Sequence, residues 1–516
     1  MTEEGRPGTA GPDGAARTPQ GTPAGFPSVG GGSPTPPIRR AAVPLALAGV
    51  AVLAVVAIGL WLLLPRGVEP GATATPRPTM VTEASPSAAR APTATAPGAS
   101  DPLPSGTADP KPSRTADPAS SGDLPIDPAV EARIREITEQ VPPIRGLEPL
   151  EAVPFRFITP ERFEVELREL FAAENAPEQV AAEDDLLKRL GLLAPEAELE
   201  ALVLELYGSQ VAAFYDTRTG SFTVIQRGED AEFGSADAVT VAHEYVHALQ
   251  DQHFDLEGTA VADPAEGDRA SGALGLIEGD AVAVMVEWAF ANLSFDEILE
   301  LQEAITPGDQ ELLESMPPVL RRQLEFPYTD GFVFVTAVRA GGDYQAVDEA
   351  YAERPVSTEQ IMHPEKYLAG EDPVVVELPD MASALGEGWT ESYQQTFGEM
   401  LIGVLVADGE SAPLPTVPGL LPPLPNAEAA AGWGGDRLIS LNGPDGAWAV
   451  VWQTAWDSDA DAGEFSAAAE AAMDDLAFPH QIDASSAVTG LDDPMLVLVA
   501  SDAAILETVR AALPVE

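Results

Sequence analysis

Ala236-Asp-Ala-Val-Thr-Val-Ala-His243-Glu244-Tyr245-Val246-His247-Ala-Leu-Gln-Asp-Gln252 is the stretch on which the reading of this chain turns. Its spacing predicts a helix over about Ala236 to Gln252, with Val239, Ala242, Val246 and Leu249 facing the core. His243 and His247 are four residues apart, so their imidazoles leave one face of that helix a turn apart and can close on a single metal ion. Glu244 points to the neighbouring sector, where a carboxylate can take a proton from a metal-activated water and pass it on. The bland alternative is a structural histidine pair beside the apolar row. It must explain two ligand-type side chains flanking a carboxylate in a chain with only 5 histidines.

The chain has no cysteine, which removes disulfides, thiolate catalysis and Cys-type zinc sites, so a zinc ion would rest on histidine and carboxylate. A catalytic zinc takes three protein ligands, and the candidates for the third are His253, Glu257, Glu266, Glu278 and Glu287. His253 falls on the far side of the motif helix. Glu278 sits in an apolar helical stretch, Ala273 to Phe290, where an uncompensated carboxylate is costly to bury. Glu266, beside Pro264 and Gly267, is the alternative, or else a first-turn carboxylate facing water. Burial cost favours Glu278. Asp280 is a candidate for orienting a ligating imidazole through its other nitrogen, or is a solvated helix carboxylate.

Upstream of the motif, Val211 to Asp216, the turn Thr217 to Gly220 and Ser221 to Gln226 read as a β-hairpin. Before it, Pro128 to Val141, Pro160 to Glu174, Glu183 to Leu193 and Pro195 to Tyr207 have helical spacing. Farther out, Ala41 to Leu64 carries no charge, and about 24 residues at helical rise cross a ~30 Å hydrocarbon layer. Residues 41–65 are therefore expected to be a transmembrane helix, after a disordered tail over 1–40 and before a Pro/Thr/Ala/Ser-rich linker over 66–122. The adjacent pair Arg39 and Arg40 tips the N-terminus to the inside, leaving the rest of the chain outside the cell.

With 27 basic against 83 acidic residues the net charge is -56, which excludes a nucleic-acid partner, because phosphates would be repelled. The same excess suits high external salt or simple solubility. Past a Pro-rich stretch ending near Pro425, Arg437 to Asn442, the turn Gly443 to Gly446 and Ala447 to Trp456 read as strand, turn and strand. A helix from about Asp461 to Leu476, an apolar run Met495 to Ala500 and a last helix Asp502 to Leu513 complete a small α+β domain over 386–516. Trp452 and Trp456 read as core residues of that domain, packed against or covering the portion before it.

His243 to His247, continued by Ala248 to Leu256 and then by Leu276-Ile-Glu-Gly-Asp-Ala281, resemble bacterial gluzincin-like metallopeptidases of the peptidase MA clan. The likeness runs from about Asp123 to Asp380 and takes in Phe214-Tyr-Asp216, Phe326-Pro-Tyr328 and Ser357 to Tyr367. It implies an α+β fold, with a mostly helical zincin-like domain over 123–385 and an edge strand ahead of the active-site helix where an extended peptide can dock. It also implies zinc on His243, His247 and Glu278, with Glu244 as general base. The gap from His247 to Glu278 is longer than in thermolysin, a spacing that Glu266 matches better. His363 or Tyr367, held on a corner between a capping box at Ser357 and Pro364, could steady the oxyanion, with Tyr328 a weaker candidate.

Taken together, these readings describe a membrane-anchored, zinc-dependent metallopeptidase acting on a peptide or protein substrate. The rival is an inactive, peptidase-like scaffold at the cell surface. No pattern in the sequence sets an oligomeric state.

Overall fold

The structure, a computed structural model, describes residues 48–49, 123–227, 233–256, 264–303, 307–340, 342–407, 427–487, 491 and 493–514. The expected tail, the linker over 66–122, the Pro-rich stretch before Pro425 and Glu257 lie outside these residues. So does the apolar run 41–64, apart from Ala48 and Gly49, which form a two-residue strand, β1 (Ala48–Gly49). Among the described residues no helix is long and apolar enough to cross a membrane.

The first helices start where the sequence places start signals. In α1 (Pro128–Arg145) the Asp127 side chain accepts from Ala129 N, proline occupies the first position, and Gly146 at φ 81° ends the helix. After β2 (Phe155–Ile158), Thr159 caps α2 (Pro160–Glu174) in the same way. Then come α3 (Pro177–Arg189) and α4 (Leu199–Gln210). The hairpin β3 (Val211–Asp216) and β4 (Ser221–Ile225) has Ala213 opposite Val224 and Asp216 opposite Ser221. Its turn closes on Gly220 at φ 66°. Strand β2 joins the other side of β4 in parallel, giving the order β1-β3-β4-β2. Four residues were too few for alternation to reveal it.

The motif helix is α5 (Ser235–Phe254), begun by the Asp237 carboxylate accepting from Gly234 N at 2.8 Å. Here the single core face expected from its apolar row is corrected: every residue from Ala238 to Asp251 is buried. Helix α1, the hairpin and α6 (Gly267–Asn292) enclose it, along with α7 (Phe295–Glu303). A helix enclosed all round shows only a weak amphipathic stripe.

After α8 (Pro307–Ser315), helix α9 (Pro318–Val338) crosses α6 at very short range. A Cβ on Gly279 would lie 2.9 Å from Gly331 Cα and closer still to its carbonyl, and one on Gly331 would lie 3.0 Å from the Gly275 carbonyl carbon. Gly279 and Gly331 thus let two backbones touch, which holds Glu278, next to Gly279, against the motif helix.

Then follow α10 (Gln345–Ala352), α11 (Thr358–Met362), α12 (Pro364–Ala369), α13 (Met381–Leu385), β5 (Thr390–Gln395) and α14 (Gly398–Val406). The chain ends with β6 (Trp433–Asn442), β7 (Trp448–Trp456), α15 (Asp459–Met473), β8 (His480–Asp483), β9 (Met495–Ala500) and α16 (Ala503–Ala512). The second sheet is antiparallel throughout, in the order β5-β6-β7-β9-β8. Along β7, Val450 and Trp452 join the main core while Ala449 and Val451 pack with Val509 of α16, the two-residue period of a sheet covered on both faces.

The architecture is mixed α+β. The main core runs without a break from Ile134 to Val499, across the expected boundary at 385/386. Helix α14, buried at all nine positions, packs on α9 and α11. Asp436 on β6 holds its start, accepting from Phe397 N, Gly398 N and the Trp433 and Trp452 indoles at 2.9–3.0 Å.

Candidate metal centre

Helices α5 and α6 pack side by side, which brings two turns of one against one turn of the other. His243 Nε2 lies 3.1 Å from Glu278 Oε2, His247 Nε2 lies 3.3 Å from the same oxygen, and the two Nε2 atoms are 3.0 Å apart. The imidazoles stand edge to face, 4.6 Å between centroids. Ligand atoms about 2.0–2.1 Å from a tetrahedral ion lie about 3.3 Å from one another. The observed triangle therefore has the edge lengths of three corners of such a site. Among the described residues this is the one His/Asp/Glu group gathered closely enough to hold a metal ion.

The cluster is closed off from solvent: His243, Glu244 and His247 are 0 % exposed and Glu278 is 1 %. Burial works against charge on both partners of the His247–Glu278 pair, but their mutual attraction outweighs it. It holds His247 up at about 9 and pulls Glu278 down to about 2. Burial also lowers His243. Burial pushes the Glu244 carboxyl up to about 8, against the attraction of His247 and the Tyr215 backbone N–H. Strand β3 runs beside it, tied to the motif helix by Tyr215 Oη donating to Asp251 at 2.9 Å. A carboxyl shifted by burial beside His247 and Glu278 is a candidate for proton transfer.

Of the sequence candidates among the described residues, Glu278 joins the two histidines, whereas Glu266, Glu287 and His253 have other partners. Glu266 pairs with Arg437 at 3.2 Å, Glu287 with Arg339 at 2.5 Å, and His253 Nε2 bonds the Glu148 carbonyl at 2.8 Å. His363 bonds Glu399 at 2.9 Å, and Tyr367 Oη donates to the Glu353 carbonyl at 2.9 Å. These partners lie outside the His/Glu cluster. Tyr328 comes nearer, its ring centroid 6.0 Å from that of His243.

Asp280 is buried rather than solvated, and it reaches His247 through an intermediary. Gln250 Oε1 is 2.8 Å from His247 Nδ1, while Gln250 Nε2 donates to Asp280 and to the Ile277 carbonyl, both at 3.0 Å. Behind Asp280 stand Arg145 Nε at 2.8 Å and Tyr351 Oη at 3.0 Å. Gln250 was within reach of the sequence, three residues past His247 on the same helix face. Arg145 and Tyr351 come from helices 135 and 71 residues away from Asp280, and no local pattern marks them.

One sequence family, described as a domain of unknown function (DUF8575), matches residues 387–506, which covers α14, α15 and all five strands of the second sheet. No curated protein matches the chain, and no solved structure does.

Proposed function

We propose that this protein is a zinc-dependent metallopeptidase of the gluzincin type, with His243, His247 and Glu278 as metal ligands and Glu244 as general base. The observation that carries the reading is the triangle of ligand atoms at 3.0–3.3 Å beside the buried carboxyl of Glu244. Two neutral imidazoles and one carboxylate form a donor set typical of catalytic zinc. When bound there, zinc supplies Lewis acidity, which brings the pKa of a water toward neutrality and polarises a substrate carbonyl.

The remaining work falls to the chain. Glu244, directly after His243 on the motif helix, is the carboxylate to accept a proton and return it to a leaving amine nitrogen. Strand β3, expected as a free edge for an extended peptide, is flanked by β1 and β4, and among the oxyanion candidates the Tyr328 ring lies 6.0 Å from that of His243 between centroids. The uncharged run 41–64 supports attachment to a membrane, with residues 123–516 outside the cell.

A second reading, a structural metal site in a surface scaffold, is favoured by one observation, the near-complete burial of all four side chains. Zinc content and turnover separate the two. The purified chain should carry about one zinc, lost in His243→Ala and Glu278→Ala. Glu244→Gln should keep the metal and lose cleavage of a peptide library. Cleavage surviving in Glu244→Gln would remove the general-base role; zinc without cleavage in the unaltered chain would favour the scaffold. Absence of zinc when it is supplied at neutral pH would end both.

A further inference from the structure

The hydrogen bonds behind His247 have a direction that the side-chain chemistry sets. The Ile277 carbonyl has no proton to give, and the Asp280 carboxylate faces the Arg145 guanidinium at 2.8 Å, so both accept. The Gln250 amide must turn its NH2 toward these two acceptors, which leaves its oxygen facing His247. An amide oxygen only accepts. Nδ1 of His247 therefore carries the hydrogen, and in the neutral ring Nε2 is left as the lone-pair nitrogen, aimed at His243 and Glu278.

His243 has no such support, since its Nδ1 has no hydrogen-bond partner. The support of His247 is also costly. His247, Gln250, Asp280 and Arg145 are all 0 % exposed, and a buried ion pair contributes little or nothing to stability compared with apolar residues of the same shape. Arg145 adds a second carboxylate, Asp348, at 2.7 Å, and Tyr351 stacks on Phe254 of the motif helix at 4.0 Å. Two helices besides the two that carry the ligands, α1 and α10, thus converge on one carboxylate, Asp280, whose remaining contact is the Gln250 amide. An arrangement that does little for stability but leaves one amide a single orientation is better explained by what that amide orients.

We propose that Gln250 is a positioning residue which, held by Asp280, Arg145 and Tyr351, locks His247 in its metal-ligating tautomer. The inference rests on the metal-site reading above and adds to it a specific cause of affinity. It also makes the two histidines unequal: one ring is fixed from behind by the protein, the other only by its neighbours in the cluster.

The test is a cobalt titration of the metal-stripped full chain at fixed pH, followed by visible absorption. Gln250→Met keeps the length of the side chain and removes the acceptor. Asp280→Asn keeps Gln250 and removes the carboxylate that orients it. Gln250→Met should weaken Co2+ binding about 10–100-fold, the range for loss of an outer hydrogen-bond partner, with Asp280→Asn falling between it and the unaltered chain. The ligand-field bands of bound Co2+ should shift in both variants. Melting temperatures taken in chelator provide the control, because a packing role would lower these and leave Co2+ affinity and spectrum unmoved. If Gln250→Met does not fold, Asp280→Asn decides alone. Affinities within about twofold of the unaltered chain overturn the inference and leave the metal site standing, whereas an unaltered chain that takes up no Co2+ overturns both.

Discussion

Replacing Gly279 by alanine tests whether Glu278, the proposed third ligand, is held by the close crossing of two helices. The new Cβ would sit 2.9 Å from Gly331 Cα and closer to its carbonyl, against an ordinary carbon–carbon separation of about 3.5–4.0 Å. The obstacle is backbone, so the helices must part by about 1 Å. Overpacking of this kind costs about 1–3 kcal/mol, and the rigid neighbour puts Gly279→Ala at the upper end. Alanine returns about 1 kcal/mol as the better helix former, which leaves a net loss of about 2 kcal/mol.

Gly275→Ala is the internal comparison. Its Cβ would meet the Ile361 side chain at 3.1–3.3 Å, which can give by a few tenths of an ångström, so the helix gain nearly cancels the cost. Urea unfolding in chelator should show a lower midpoint for Gly279→Ala and one within about 1 kcal/mol of the unaltered chain for Gly275→Ala. Glu278 is the next residue to Gly279, and metal sites tolerate displacements of only about 0.2 Å, so zinc affinity should fall along with stability. Equal midpoints and equal zinc affinity in the two variants would refute the reasoning.

Asp436→Ala leaves two backbone N–H groups and two indole N–H groups buried without their acceptor and should cost at least about 4 kcal/mol in urea unfolding, with Asp436→Asn intermediate. An Asp436→Ala loss below about 1 kcal/mol would mean that Asp436 does not hold the start of α14. Burial raises Glu325, 6 % exposed, to about 7, partly offset by Arg321 and Arg322. The folded chain therefore keeps a proton there that the unfolded chain has released. That contribution is full below about pH 4.5 and is lost as pH rises toward 7, on the order of 3 kcal/mol at most. Glu325→Gln should flatten the stability-versus-pH curve over that window, and an unchanged slope would assign the loss to other groups. With 83 acidic against 27 basic residues, raising salt from 0.05 to 0.5 M should raise the melting temperature by screening self-repulsion. A fall would show that attractive ion pairs dominate instead.

Much of the fold could be read from local signals, because those signals act over a few residues. Pro160 to Glu174 is a helix with the bounds its spacing suggests, and the hairpin Val211 to Ile225 turns at Thr217 to Gly220 as its residues require. Strand β2, four residues long, and β5 and β8 were not legible, since such short strands take their pairing from partners far along the chain. The boundary near 385 follows the end of the family resemblance near Asp380. Helix α14, which follows it, packs on α9 and α11 as well as on Ala427–Ala430 and α15.

At the candidate site the division is equally physical. The sequence by itself determined that His243 and His247 share a helix face and that Glu244 stands beside them, because helical geometry acts at a spacing of one turn. It could only weigh Glu278 against Glu266 by the cost of burying a charge. The tertiary structure decided between them, since the crossing of α5 and α6 brings Glu278 within 3.1–3.3 Å of both imidazoles while Glu266 turns to Arg437. It alone brought Arg145 and Tyr351 to Asp280, because contacts between helices far apart in the chain depend on how whole elements pack.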